Sequence, residues 1–189
     1  HVPSTSSGNS DLPGGDYMVT LGFWGVGFVG SEPVRASTTA HELGHNLNLW
    51  HGGFRGNPNC SPAYLSVMNY LFQARLLVDD GGAPRVDFSS EPLGPLDENF
   101  LFDAPLGNLA PYRTGWYAPD ANVPLGSPAT KFCTGAGFPD PLPDGWVPMV
   151  RVDSASAFAS IDWDANGPGT PPQDINFNGV LDSVLTPDT

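Results

Sequence analysis

Apolar and polar residues alternate over residues 16–24, which read DYMVTLGFW. In a strand, successive side chains point to opposite faces, so alternation of this kind predicts a strand. The apolar residues that would share one face are Tyr17, Val19, Leu21 and Phe23. Residues 1–15 are rich in Ser, Gly, Asn and Pro and predict a loop or an extended lead-in, and residues 25–30, with three glycines, predict a bend or a second short strand.

A helix is predicted to begin at about Glu32 and to run to Leu47. Ser31 precedes it and can accept a hydrogen bond from one of the free N–H groups of the first turn. Glu32 interacts favourably with the helix dipole there, and Pro33 is tolerated because a first-turn N–H has no helical partner. We therefore expect a helix with a defined start.

Downstream of this helix the pattern is weaker and is broken by Gly and Pro. Residues 52–62 predict a loop, whereas residues 71–78 are apolar and predict either a short helix or a short strand. Residues 91–106 predict short helical turns interrupted by prolines. Residues 109–150 predict coil that aromatic side chains anchor to the core. The fold class we predict is α+β, with a small sheet, one central helix and a loop-rich C-terminal half.

The composition supports an ordered chain with many loops. Its 189 residues include 23 Gly and 21 Pro, and only 14% are charged, against about 25% in typical globular domains. Aromatic residues make up 11% and supply apolar surface that can offset the entropy of ordering. We expect one domain, or one domain with a small appendage.

The net charge limits the partners of the chain. It is −13, with a single Lys, so phosphates of nucleic acids and anionic membrane surfaces would be repelled. We expect neither partner, and we expect a monomer. No apolar run approaches the roughly 20 residues that a membrane span needs. Because the chain starts at His1 without an initiator Met or a signal peptide, we expect a processed mature form or a segment of a longer protein.

Three of the four histidines lie in the stretch HELGHNLNLWH. His41 and His45 are four positions apart, so a helix places both imidazoles on one face with Glu42 beside them. His51 can join them only if the chain turns sharply, and Asn48 suits this turn because Asn readily adopts the left-handed conformation. A bare His-Glu-x-x-His occurs by chance in many proteins, but scattered histidines would not fall at all three positions. The stretch predicts a zinc site.

This stretch resembles the long zinc signature of the metzincin metallopeptidases, whose eighth position is usually Gly and here is Asn48. Downstream, the sequence SVMNY resembles the Met-turn of that family, with Met68 followed two residues later by Tyr70 as in the astacin and serralysin branches. The resemblance implies a compact metzincin-like catalytic domain. Only 40 residues precede His41, so the upper subdomain is expected to be short or partly missing.

The function implied by the resemblance is that of a secreted zinc endopeptidase acting on protein or peptide substrates. The three histidines would hold zinc, Glu42 would be the general base for a zinc-activated water, and Tyr70 would stabilise the oxyanion. Met68 would pack beneath the site as a structural residue. Tyr70 can also be a buried structural aromatic. Two other functions stay open: a zinc hydrolase acting on a non-peptide bond, and a calcium-dependent binding or adhesion module with a structural zinc site.

The two cysteines, Cys60 and Cys133, are far apart in the sequence. In a chain that otherwise resembles a secreted protein they predict a disulfide, worth about 3–4 kcal/mol in the chain-entropy model. Free thiols and a second zinc site are the alternatives. No further His and no closely spaced Cys pair supports the second of these.

The C-terminal region contains a near-repeat, DWDANG followed twelve residues later by DINFNGVLD. Both copies place oxygen side chains at positions 1, 3 and 5 and Gly at position 6, which is the spacing of calcium loops. The candidate calcium ligands are Asp162, Asp164, Asn166, Asp174, Asn176, Asn178 and Asp182. Neither copy has the Glu at position 12, and Asp/Asn/Gly-rich turns without calcium are the alternative. We predict a catalytic domain over residues 1–160 and a tail over 161–189 with little apolar content between its loops.

Overall fold

The protein is a mixed α+β structure with one main helix and several small antiparallel sheets. The computed structural model describes residues 6–24, 27, 29–89, 96–106, 112–139, 147–169 and 172–181, together with the backbone of 183 and 184. Over these ranges, none of the helices has the length and apolar character that crossing a membrane requires.

The main helix, α1, spans Glu32–Asn46. Ser31 is its N-cap, and the Ser31 hydroxyl accepts a hydrogen bond from the backbone N–H of Val34 at 3.4 Å. The predicted start of the helix is therefore confirmed, and its predicted end differs by one residue.

Two short strands pack on α1. Strand β1 (Gly8–Ser10) pairs antiparallel with β2 (Tyr17–Val19), and both contact the helix. The predicted strand over residues 16–24 is therefore too long, and the predicted loop or extended lead-in over residues 1–15 contains strand β1. The reason is that the backbone partner, not the side-chain alternation, decides where pairing stops: beyond β2 the chain enters a turn, in which the N–H of Trp24 donates to the carbonyl of Leu21 at 3.0 Å.

The apolar stretch for which either a short helix or a short strand was predicted contains one of each. A short helix, α2, spans Tyr70–Gln73, and strand β3 follows at Leu77–Asp79. Leu76 separates them with a positive φ of 69°. Strand β3 is the centre of a three-stranded antiparallel sheet, flanked by β4 (Pro84–Arg85) and, from later in the chain, Tyr112–Arg113.

The C-terminal half holds more strand than predicted. Strand β5 (Leu96–Asp97) pairs with the last strand, β9 (Ser183–Val184). After β6 (Tyr112–Arg113), strands β7 (Gly115–Pro119) and β8 (Met149–Asp153) pair over five residues each. The predicted coil over residues 109–150 is wrong at these strands, and β5 replaces a predicted helical turn. Residues 91–95 lie outside the described part.

Two apolar clusters form the core. The first contains Cys60, Leu65, Leu71, Phe72, Leu77 and Ala157, and the second contains Leu101, Trp116, Ala118, Ile161, Trp163 and Ile175. The predicted disulfide is confirmed, since Cys60 and Cys133 are joined across 73 positions of sequence. Apolar side chains within the two Asp/Asn loops, Trp163 and Ile175, are fully buried and anchor the tail to the second cluster. The domain boundary at residue 160 stays a prediction.

Candidate metal centre

Three imidazole nitrogens converge at the C-terminal end of α1. The Nε2 atom of His45 lies 3.1 Å from Nε2 of His41 and 2.9 Å from Nε2 of His51. Tetrahedral zinc, with Zn–N bonds of about 2.0–2.1 Å, separates its ligand nitrogens by about 3.3 Å. Elsewhere in the described ranges, no three His, Cys, Asp or Glu side chains come together in this way. The cluster can therefore bind a metal ion such as zinc.

The end of α1 brings the third histidine to the other two. Asn48 has a positive φ of 70°, and its N–H donates to the carbonyl of His45 at 2.8 Å. The N–H of Leu49 donates to the carbonyl of Gly44 at 2.9 Å. These two bonds are those of a Schellman motif, which stops a helix and reverses the chain. The predicted turn at Asn48 is confirmed, and it returns His51 to the helix face.

Backbone carbonyls orient two of the imidazoles. Nδ1 of His41 donates to the carbonyl of Val67, and Nδ1 of His45 donates to the carbonyl of Leu49, each at 2.8 Å. A proton held on Nδ1 leaves the lone pair of Nε2 free for a metal ion, and such bonds fix both tautomer and ring direction. Both Nε2 atoms therefore face the centre of the cluster, where they can bind a metal ion.

Burial favours the neutral form of His41 and His51. It lowers the pKa of His41 to about 4, although the bond to the Val67 carbonyl opposes part of this shift. It also lowers the pKa of His51 to about 3, and the neighbouring imidazoles add to the effect. Because only the neutral imidazole binds a metal ion, both side chains are in the ligand state at neutral pH.

The carboxylate of Glu42 lies under strand β1. Glu42 is only 4% exposed, and the hydroxyl of Ser10 donates to its Oε2 at 2.9 Å. Burial raises the pKa of Glu42, while the bond from Ser10 and the nearby His45 lower it. A Cβ added to Gly8 would overlap the Glu42 carboxyl group. Gly8 and Ser10 thus enclose the carboxylate, and no local sequence signal predicted this.

The ring of Tyr70 lies beside the histidines. Its centroid is 4.4 Å from that of His51 and 5.9 Å from that of His41. Burial raises the pKa of Tyr70, and the Glu42 carboxylate raises it further. Tyr70 is also 36% exposed, which does not fit the alternative of a buried structural aromatic. The Tyr70 ring therefore lies next to the candidate metal centre and is partly open to solvent.

Met68 lies directly beneath α1. It is fully buried, and a Cβ added to Gly44 would overlap its Sδ atom. Gly44 lies between His41 and His45 on the helix, so the missing side chain lets the thioether pack against the backbone that carries both ligands. This packing matches the position predicted for Met68.

Asn69 fixes the turn between Met68 and Tyr70, and the sequence analysis assigned it no function. Its side chain is fully buried, and Nδ2 donates to the carbonyls of Ser61 at 2.7 Å and Tyr64 at 2.8 Å. Oδ1 accepts from the N–H of Leu71 at 3.0 Å and caps α2. A buried amide with three bonds holds the start of α2, and with it Tyr70, at a set position.

The two candidate calcium loops have the same local geometry. The Asp162 carboxylate accepts from the N–H groups four and five positions later, at 3.2 and 2.9 Å. The Asp174 carboxylate does the same, at 3.0 and 2.8 Å. Burial and the carboxylates of Asp162 and Asp103 raise the pKa of Asp164, although a backbone bond from Asn166 opposes this. Asp182 lies outside the described residues.

Comparisons with known proteins assign no family. No family model, curated protein or solved structure matches the chain. The metal centre and the motifs around it are therefore the basis for a functional inference.

Proposed function

We propose that the protein is a secreted, metzincin-type zinc endopeptidase that hydrolyses peptide bonds in proteins. The observation that carries the proposal is the convergence of three imidazole side chains beside an enclosed carboxylate and a partly exposed tyrosine. The Cys60–Cys133 disulfide supports an oxidising compartment outside the cell.

In this proposal each side chain of the centre has its own role. Zinc held by the three histidines would act as a Lewis acid that polarises a carbonyl and lowers the pKa of water towards 7. Glu42 accepts a proton from the attacking water and delivers it to the leaving amine. Its raised pKa suits both steps, because a carboxylate of higher pKa is a stronger base. The hydroxyl of Tyr70 donates a hydrogen bond to the oxyanion of the tetrahedral intermediate.

The number of ligands supports catalysis over a structural zinc site. Structural zinc is usually held by four protein ligands, whereas catalytic zinc has three and keeps one position open. The three histidines form a cluster that no described Cys, Asp or Glu side chain joins. Tyr70, the other side chain beside them, is partly exposed. A fourth position is thus open to water or substrate.

A casein digest with and without a zinc chelator tests this proposal. We expect cleavage within the casein chain, its loss when zinc is removed, and its recovery when zinc is added back. If the protein holds one zinc ion yet cleaves no unfolded protein, the proposal is wrong, and the binding-module and non-peptide hydrolase alternatives gain weight.

Replacing Tyr70 by Phe is expected to lower kcat by about 10- to 1000-fold, the range for one lost oxyanion donor. KM and zinc content should change little, because the ring and the histidines remain. Steady-state kinetics on a fluorogenic peptide measures both constants. Tyr117→Phe is the matched control, since Tyr117 packs against Phe177 in the C-terminal half. An unchanged kcat in Tyr70→Phe would make Tyr70 a structural residue.

A further inference from the structure

The second Asp/Asn loop, residues 174–179, contacts a carboxylate from a distant part of the sequence. Glu98 is fully buried, and its Oε1 accepts from the N–H of Asn176 at 3.2 Å. The main-chain carbonyl of Glu98 accepts from the N–H of Gln173 at 2.8 Å. These two bonds hold Glu98 against the beginning of the loop. The loop itself lacks the Glu that calcium loops carry at position 12, and the Glu98 carboxylate can take the place of that ligand.

The side chain of Asn176 is buried without a hydrogen-bond partner in the described part of the chain. Asn176 is fully buried, and within the described ranges neither its Oδ1 nor its Nδ2 has a hydrogen-bond partner. Burying an amide in this state is unfavourable, because the group loses its hydrogen bonds to water and gains none in return. Asn176 occupies position 3 of the loop, between Asp174 at position 1 and Asn178 at position 5, and in loops of this spacing these three side chains face the ion. A cation in the loop would give Oδ1 its partner.

We propose that loop 174–179 and Glu98 together bind one calcium ion. The side-chain ligands are Asp174, Asn176, Asn178 and Glu98, and backbone carbonyls or water complete the six to eight oxygens that calcium takes. Two carboxylates and two amide oxygens form an all-oxygen set. Such a set suits a hard cation, whereas zinc prefers nitrogen and sulfur.

The first loop does not carry the same inference, although it has the same backbone geometry. Its Asn166 side chain is exposed, and Nδ2 of Asn166 already donates to the Asp164 carboxylate at 2.6 Å. The nearby Asp103 carboxylate accepts from the N–H groups of Trp163 at 3.2 Å and Gly169 at 2.5 Å. These groups are satisfied within the chain, so we restrict the proposal to the second loop.

Calcium at this site would join two segments that are distant in sequence. Glu98 directly follows β5, which pairs with β9, and Ile175 beside Asn176 packs in the second core cluster. The pairing of β5 with β9 already connects residues 96–97 to the C-terminal segment, and the ion would add a second connection through Glu98. The consequence is a stabilising role for the ion, separate from the histidine centre.

The full chain, freed of calcium and supplied with one equivalent of zinc, allows a direct test. Calorimetric titration with calcium chloride is expected to show binding at this site. The melting temperature should rise by about 5–10 °C when calcium is at 100 times its Kd. Matched sodium chloride and magnesium chloride should give a much smaller rise. No binding at millimolar calcium, or an equal effect of magnesium and sodium, would overturn the proposal.

Two variants locate the ion. Asn176→Leu removes the unpartnered amide, so without calcium it should melt no lower than the wild type, while its calcium affinity should fall at least about tenfold. Glu98→Gln keeps an oxygen for the bond to the loop but loses the charge, and should weaken calcium binding by a similar factor. Asp97→Asn is the matched control, because Asp97 is an exposed neighbour with the same charge change. Wild-type affinity in Asn176→Leu would refute the site even if Glu98→Gln failed to fold.

Discussion

Replacing Glu42 by Gln is expected to lower kcat/KM for a peptide substrate by about 10²- to 10⁴-fold, the usual contribution of a general base. Gln has nearly the same shape and can still accept the hydrogen bond from Ser10, so the enclosure by β1 should persist. The histidine ligands are untouched, and one zinc ion per chain should remain bound. Cleavage of a fluorogenic peptide and zinc content by atomic absorption measure the two effects separately.

The control for this variant is Glu32→Gln. Glu32 lies in the first turn of the same helix, is exposed, and gives the same charge change away from the histidines. Its activity should stay within about twofold of the wild type, since a dipole contact at an exposed helix end contributes only about 0.3–1 kcal/mol to stability. If Glu42→Gln keeps its zinc and cleaves peptides as fast as the wild type, Glu42 is not the base.

Loss of the Cys60–Cys133 disulfide is expected to lower the free energy of unfolding by about 2–5 kcal/mol. The crosslink closes 73 positions of sequence, and without it the unfolded chain gains conformational freedom. Cys60 is also fully buried in the first core cluster, close in sequence to Met68 and Tyr70. Unfolding in urea of a Cys60→Ala, Cys133→Ala double variant measures the change.

The wild type treated with a reducing agent is the companion experiment. It should approach the stability of the double variant, which should itself be insensitive to the reducing agent. Titration of thiols in the unfolded, unreduced wild type should find no free sulfhydryl. Two free thiols, or equal stability of the variant and the wild type, would contradict this expectation.

Local patterns in the sequence were enough to predict α1 and the histidine cluster. The Ser31 cap, the spacing of His41 and His45, and the left-handed preference of Asn48 each act within a few residues along the chain. Helical hydrogen bonds and caps join residues that are close in sequence, so the sequence itself indicates where a helix can begin and end. The disulfide could be predicted for a different reason: the chain has two cysteines, so each has one possible partner within the chain.

The tertiary structure alone decided what surrounds that cluster. Glu42 is enclosed by Gly8 and Ser10, which belong to a segment whose composition predicted only a loop or an extended lead-in. Strands β7 and β8 pair although Gly and Pro recur between them, and Glu98 reaches Asn176 from a distant segment. Strand pairing and carboxylate burial depend on partners that are far apart in sequence. Short, irregular segments have no periodicity from which those partners could be predicted. The sequence by itself therefore determined the helix and the ligands it carries, whereas the enclosure of the site and the second candidate ion site arise only from long-range contacts in the folded chain.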